Sequence, residues 1–196
     1  KKFYGRDWSL KKNKDKIIYS DAKGKISLKS NKIFSEGIWH NVGLSIKVAR
    51  DLNISRNNIL KAIPKMSFEG RIQYIKKGKL TKLLYSNEKL LIDGCHSNAS
   101  AKNLNTYLKS LNKDVYGIWG IQKNKHPEHF LSEFKGVFKE IIAIKIPDEI
   151  NSSNPDSLKR IASQLNFKCR TAPNIKSAIT KLSADWSTPA AQQFVP

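Results

Sequence analysis

Apolar positions in the C-terminal two thirds of the chain alternate between helical stripes and short runs. Three stripes have the i, i+3, i+4, i+7 spacing of a helix buried on one face. They are Leu104, Tyr107, Leu108 and Leu111; Leu158, Ile161, Ala162 and Leu165; and Ile175, Ala178, Ile179 and Leu182. Asn154-Pro155 and Asn174 precede the second and third stripes, as helix N-caps do. The short runs predict strands at residues 90–92, 115–119, 140–146 and 167–170. This alternation predicts an α/β fold with a mostly parallel, Rossmann-like sheet.

The first third of the chain has a different pattern. β-branched residues on either side of Gly24 predict a hairpin over residues 16–22 and 25–30. From residue 40 the spacing is helical, which predicts one helix ending near Asn53 and a second over residues 55–63 with Ser55 as N-cap. The first of these helices is marked by Val48, Ala49 and Leu52. An extended segment is expected over residues 68–74.

These changes of pattern divide the chain into four parts. We expect residues 1–38 to be a β-rich remnant of a larger domain and residues 39–66 to form a helical linker. Residues 67–184 form the α/β domain. Residues 185–196 are an atypical tail, which has no lysine although lysine is the commonest residue elsewhere.

The charge of the chain is strongly positive, with 36 Lys and Arg against 16 Asp and Glu and a formal charge of +20. Such a charge is typical of proteins that bind nucleic acid or anionic membranes. Only six of these cations are Arg, the residue that makes bidentate contacts with phosphates and bases. Abundant Lys, Asn and Ile together are the product of an AT-rich coding sequence. Codon bias therefore accounts for much of the charge, and a basic nucleic-acid or anionic-partner binding module without catalysis is the alternative function.

Several classes of protein are not expected. A hydrophobic fraction of 39% excludes a wholly disordered chain. No apolar run approaches the roughly 18 residues of a membrane span, so we expect no membrane partner. Two cysteines, Cys95 and Cys169, are too few for a disulfide framework, which favours a cytoplasmic protein. His126 and His129 could share a helical face, but without a third ligand we predict no metal site.

Candidate chemistry is concentrated where the strand at residues 90–92 ends. An acidic side chain there, Asp93, can accept hydrogen bonds from ribose hydroxyls, and Gly94 permits close backbone approach. His96 could donate to a phosphate near the start of the next helix. Arg71, in a chain with few arginines, is a candidate for bidentate phosphate contact. Each feature also has an ordinary explanation, since Asp-Gly is a common turn and Arg71 could be a surface residue.

Five segments, in order, resemble motifs of the folylpolyglutamate synthase/dihydrofolate synthase family of Mur-ligase-like enzymes. FEGRIQ (68–73) is similar to the WPGRFQ segment of that family, and IDGCHS (92–97) to its LDGAHN. His40 matches the histidine of GxHQxxNA, GRDW (5–8) is similar to GxDF, and WGIQKNK (119–125) lies where the family has GxxxdKD. The resemblance covers about residues 3–182. It implies that residues 1–38 are the end of the central ligase domain and residues 67–184 the Mur-ligase C-terminal domain, which faces the nucleotide.

The resemblance implies an ADP-forming carboxylate–amine ligase of folate metabolism. Such enzymes use ATP and Mg²⁺ to make an acyl phosphate, which the amine of glutamate displaces. Asp93 would hold the ribose, and Arg71 and His96 would face the phosphates. His40 and Lys125 would lie on the interdomain or glutamate side. Folate and dihydropteroate both remain open as the acceptor.

Departures from the family pattern bear on activity. No GxxxxGK[ST] occurs in the sequence, so the resemblance places the main phosphate and magnesium sites outside this chain, in a P-loop half that a separate partner could supply. Leu44 stands where the family has an adenine-contacting Asn, Ser97 replaces the Asn of LDGAHN, and His126 replaces the Asp of KD. We therefore expect the chain alone to be inactive. Functional half, pseudoenzyme and fragment remain open, as does ATP binding.

Overall fold

The computed structural model describes residues 2–13, 16–29, 36–66 and 68–184, and the chain divides into two compact units. They are Lys1–Glu69 and Gly70–Pro196, and each has its own hydrophobic core. The finer division at residues 38 and 66 stays a prediction. The tail at residues 185–196 lies outside the described residues. Within the described ranges, no helix is long and apolar enough to cross a membrane.

The first unit contains a three-stranded antiparallel sheet. Its strands are β1 (Trp8–Asn13), β2 (Lys16–Asp21) and β3 (Gly24–Lys29), paired in that order. Gly24 has φ 102° opposite Asp21 and closes the β2–β3 turn, a conformation that suits glycine. The hairpin predicted around Gly24 is therefore confirmed. Alternate side chains of the sheet are buried: Trp8, Leu10, Ile17, Tyr19, Ile26 and Leu28.

Two helices pack with this sheet: α1 (Glu36–Asp51) and α2 (Arg56–Ala62), followed by a 3-10 turn at Ile63–Lys65. The predicted N-cap of α2 is confirmed, because the Ser55 hydroxyl accepts a hydrogen bond from the Asn58 N–H at 3.3 Å. The expected α1 helix is also confirmed, but Val48 and Leu52 are 50% and 70% exposed.

The face of α1 that is buried carries Ile38, Val42 and Ile46 at i, i+4 and i+8. Gly43 explains this orientation, because a Cβ there would collide with the side chains of Leu10 and Trp8. The helix thus meets the sheet through its glycine and not through Val48 and Leu52.

The second unit is built on a parallel sheet of β6 (Val115–Trp119), β7 (Phe138–Ala143) and β8 (Cys169–Thr171), in that order. The chain runs β6–α4 (Pro127–Ser132)–β7–α5 (Pro155–Gln164)–β8, as expected of an α/β fold. Central strand β7 is buried on both faces. Ile141 and Ala143 join a core shared with α4, α5 and α3 (Asn98–Ser110), whereas Ile142 packs with Ala178 of α6 (Ile175–Ala184).

Two predicted strand boundaries are wrong. The strand expected at residues 140–146 ends at Ala143, because its neighbours β6 and β8 end beside it at Trp119 and Thr171. The strand expected at residues 167–170 begins at Cys169, because the Phe167 N–H bonds back to the carbonyl of Ala162 at 2.9 Å and completes the end of α5.

The prediction that residues 90–92 belong to the parallel sheet is also wrong. That strand, β5 (Leu90–Ile92), pairs antiparallel with β4 (Gln73–Ile75) in a separate two-stranded sheet. The segment expected to be extended over residues 68–74 turns before β4, with φ 64° at Gly70 and 46° at Ile72. The 14 residues between these strands, which include a 3-10 turn at Thr81–Leu83, return the chain in the opposite direction.

Candidate functional site

Two loops meet in the second unit because β4 and β5 pair. Gln73 lies opposite Ile92, so the residues before β4 lie beside the residues after β5. The Gly94 N–H donates to the Gly70 carbonyl at 2.7 Å. The Gly70 N–H in turn donates to the Gln73 side-chain oxygen at 2.8 Å. Residues 70–73 and 93–97, which are far apart in sequence, therefore form one local structure.

The Asp93 carboxylate holds both loops. Its Oδ2 accepts the Ile72 N–H and its Oδ1 accepts the Cys95 N–H, each at 2.8 Å. A carboxylate has about four lone-pair sites, so these two bonds leave it able to accept from a further donor. Asp93 is half-buried, which leaves it within reach of a ligand at the surface.

The Arg71 side chain is exposed and lies against Gly94. A Cβ at position 94 would come 3.0 Å from Arg71 Nη1 and 3.4 Å from the Gly70 carbonyl oxygen. The glycine is thus required by close approach and not by a positive φ. Within the described ranges no carboxylate lies within ion-pair distance of Arg71, so its guanidinium can take an anion from solvent.

His96 is exposed and lies just before α3. Its Nδ1 is 3.1 Å from the Gly94 carbonyl oxygen, and since a carbonyl can only accept, Nδ1 carries the proton and Nε2 points elsewhere. Ser97 caps α3: its hydroxyl accepts the Ser100 N–H at 3.4 Å, and the Ser100 hydroxyl accepts the Ser97 N–H at 3.1 Å. Serine at position 97, a departure from LDGAHN, therefore serves as the helix cap here.

Cys95 is not an activated nucleophile. Burial raises the pKa of its thiol to about 12, and the Asp93 carboxylate contributes in the same direction. Arg71 acts the other way but less strongly. The side chain packs against the core of the second unit. It remains a thiol at neutral pH.

The other two predicted site residues are on different elements. His40, on α1 in the first unit, is half-buried beside the rings of Tyr4 and Trp39, at centroid distances of 5.0 and 4.7 Å. Lys125 lies in the second unit, in a 3-10 turn (Lys123–Lys125) after β6, where its N–H donates to the Gln122 carbonyl. Leu44, which stands where the resemblance implies an adenine-contacting Asn, is 53% exposed on α1.

Three residues of the cluster were not singled out from the sequence: Gly70, Ile72 and Gln73. Gly70 and Gln73 both belong to the FEGRIQ segment, and their place in that motif could have identified them. Ile72 gave no such signal, because a β-branched residue is the last expected at φ 46°.

The described residues hold no cluster of three metal-binding side chains. Nowhere in residues 2–13, 16–29, 36–66 or 68–184 do three His, Cys, Asp or Glu side chains come together. His126, which has φ 47°, and His129 have rings 6.1 Å apart. Magnesium prefers several oxygen ligands, which this pair does not provide.

Solved structures resemble the chain in fold. Mycobacterium tuberculosis folylpolyglutamate synthase complexed with ADP and AMPPCP matches with a TM-score of 0.79 and 15% identity, over 97% of this chain and 43% of that one. E. coli FolC in complex with DHPP and ADP matches with a TM-score of 0.71 and 19% identity, over 93% and 41%. The ligand-free bifunctional folylpolyglutamate synthase/dihydrofolate synthase of Yersinia pestis matches with a TM-score of 0.71 and 14% identity, over 93% and 41%.

Sequence comparison adds nothing to this likeness, since no family model and no curated protein matches the chain. The chain spans about two fifths of the length of the solved structures it matches. The resemblance stated from the motifs is confirmed at the level of fold: over nearly all of its length, the chain has the fold of the C-terminal half of a folylpolyglutamate synthase/dihydrofolate synthase.

Proposed function

We propose that the two loops around Gly94 form the nucleotide-facing site of an ATP-dependent folate ligase. The carrying observation is the hydrogen bond between Gly94 and Gly70, which joins Arg71, Asp93 and His96 into one cluster before α3. A cation, a carboxylate and a helix N-terminus together suit a nucleotide, which offers phosphates and a ribose diol. The fold supports the proposal, because similar structures were solved with ADP.

Each side chain has one role in the proposal. The remaining lone pairs of Asp93 accept the ribose hydroxyls, and Arg71 makes a bidentate contact with a phosphate. With Nδ1–H donated to the Gly94 carbonyl, His96 donates from Nε2 to a phosphate only when its ring carries both protons. The helix dipole at the start of α3 also favours negative charge there. His40 and Lys125 are assigned to the interdomain or glutamate side by the resemblance.

The proposed reaction joins glutamate to folate or dihydropteroate through an acyl phosphate. Magnesium would neutralise phosphate charge in such a reaction, and the resemblance assigns its ligands to the P-loop half. We propose that turnover requires that half in addition to the residues of this chain. The contribution of this chain is to bind and orient the nucleotide.

Binding of ADP measured by calorimetry tests the proposal. We expect a Kd of about 1 mM or lower for the wild-type chain. Arg71→Ala should weaken binding about tenfold or more, and Asp93→Ala should do the same. Arg160→Ala is the matched control, because Arg160 is an exposed arginine of the same unit, on α5. Absence of ADP binding, or equal loss in the control, contradicts the proposal.

Catalysis requires a second experiment. The chain is mixed with a polypeptide that carries a P-loop half, and glutamate-dependent ATP hydrolysis is measured with folate or dihydropteroate. Turnover is expected only in the mixture and only with an acceptor. ATP hydrolysis at a rate that does not depend on glutamate would exclude the ligase reaction. The nucleic-acid alternative is not proposed, because codon bias accounts for much of the positive charge.

A further inference from the structure

Ile72 adopts a backbone conformation that its side chain disfavours. Its φ is 46°, in the left-handed region, where a β-branched residue crowds its own backbone. Its side chain is only 3% exposed and belongs to the core of the second unit. Such a conformation persists only where the surroundings determine it.

Three hydrogen bonds surround this residue. The Ile72 N–H donates to Asp93 Oδ2 at 2.8 Å, and the adjacent Gly70 carbonyl accepts the Gly94 N–H at 2.7 Å. The Gly70 N–H is taken by the Gln73 side chain at 2.8 Å. The buried isoleucine anchors one end of the turn, and the charged acceptor holds its backbone. We name this arrangement the clasp: Gly70, Ile72, Gln73, Asp93 and Gly94.

The clasp fixes the backbone from which the Arg71 side chain extends. Arg71 lies between Gly70 at φ 64° and Ile72 at φ 46°, so the backbone on both sides of it is held in a left-handed turn. Its guanidinium reaches Gly94, with Nη1 3.0 Å from the point where a Cβ would be. An exposed arginine on a free loop would lose more conformational entropy on binding an anion than one held in this way.

We infer that Ile72 and Asp93 are positioning residues, which hold the turn so that the Arg71 guanidinium is set against Gly94 to receive a phosphate. The inference rests on the proposed function and deepens it. Asp93 thereby acts on the phosphate through Arg71, in addition to the ribose contact already proposed. Ile72 touches no ligand and acts only through the backbone of Arg71.

Two measurements test this inference separately. The first is amide hydrogen exchange of the ligand-free chain followed by NMR. The Ile72 and Gly94 amides are expected to be protected in the wild-type chain, and Asp93→Asn should accelerate exchange at Ile72 without touching the hydrophobic core. Rapid exchange of both amides in the wild-type chain overturns the clasp, whether or not the chain binds ADP.

The second measurement compares ADP with adenosine, which has no phosphate. Ile72→Gly should weaken ADP binding about tenfold and leave adenosine binding unchanged. In a chain that already carries Arg71→Ala, Ile72→Gly should not weaken ADP binding further. Ile121→Gly is the matched control, because Ile121 is an isoleucine of the same core with 4% exposure. Ile72→Val, which keeps the core contact, should retain the wild-type ratio of ADP affinity to adenosine affinity.

The outcomes distinguish the two proposals. If Ile72→Gly weakens ADP binding and adenosine binding equally, and Ile121→Gly does the same, then Ile72 acts only as a core residue and the positioning role is overturned. Absence of ADP binding to the wild-type chain overturns the proposed function and the phosphate role together. Protected Ile72 and Gly94 amides with a lowered ADP-to-adenosine ratio in Ile72→Gly support the inference.

Discussion

Substitution of Gly94 by alanine separates binding from stability. Gly94 has no positive φ, so alanine fits its backbone without strain. The new Cβ would lie 3.0 Å from Arg71 Nη1 and 3.4 Å from the Gly70 carbonyl oxygen. The distance to the Gly70 carbonyl is an ordinary van der Waals contact, whereas the guanidinium is too close and, as the end of a flexible side chain, moves away. The energetic cost to the fold is therefore small, but Arg71 leaves its position.

The expected magnitudes follow from that geometry. The free energy of unfolding should change by less than about 0.5 kcal/mol, because alanine restricts the unfolded chain and offsets the local shift. Displacing a charge-assisted contact should cost about 1.5 kcal/mol of ADP binding, which is roughly tenfold in Kd. Urea unfolding and calorimetry with ADP measure the two quantities on the same sample. An unchanged Kd in a stably folded Gly94→Ala chain would refute the placement of Arg71 at the phosphate.

Two further predictions concern stability. Ile46→Ala, at a position 2% exposed in the core of the first unit, should lower the free energy of unfolding by about 2–5 kcal/mol, whereas Leu52→Ala, at 70% exposure, should change it by less than about 0.5 kcal/mol in the same urea titration. The raised pKa of Cys95 predicts a stabilising contribution that is complete below pH 9 and lost as the pH rises toward 12, because the unfolded thiol ionises first. Cys95→Ser should flatten this part of the stability–pH curve, and an identical curve in the variant would contradict the assignment.

The elements that sequence predicts well are those with local signals. Asn154, followed by Pro155, accepts the Asp156 N–H at 2.8 Å, and Asn174 accepts the Ser177 N–H at 2.9 Å, so both predicted N-caps are confirmed. Their amide oxygens compete for backbone donors within one turn, which requires no knowledge of the rest of the fold. For the same reason, the stripes that mark α3, α5 and α6 predict these helices correctly.

The failures come from contacts that are remote in sequence. The partner of β5 is β4, and an apolar run of three residues contains no information on whether its neighbour is parallel or antiparallel. The buried face of α1 depends on the approach of Gly43 to Leu10 and Trp8, which lie more than 30 residues away. Of the residues that the structure brings together here, sequence reasoning singled out the polar ones, Arg71, Asp93 and His96, and their roles stay predictions. The strained residue, Ile72, could not be predicted, because the force that holds it comes from Asp93.

Asparagine, which is abundant in this chain, has a conformational role at helix ends. Asn53, Asn112 and Asn166 follow α1, α3 and α5 with φ of 60°, 48° and 64°, a region where glycine is the usual residue and asparagine is tolerated. After α5 the motif is complete, since Asn166 and Phe167 donate to Ser163 and Ala162 at 3.0 and 2.9 Å. Asn166→Ala should therefore lower the free energy of unfolding by about 1 kcal/mol. The same change at Asn103, inside α3, should raise it by about 0.5 kcal/mol. Urea titrations in which both variants shift in the same direction would show that the left-handed backbone is not what favours asparagine there.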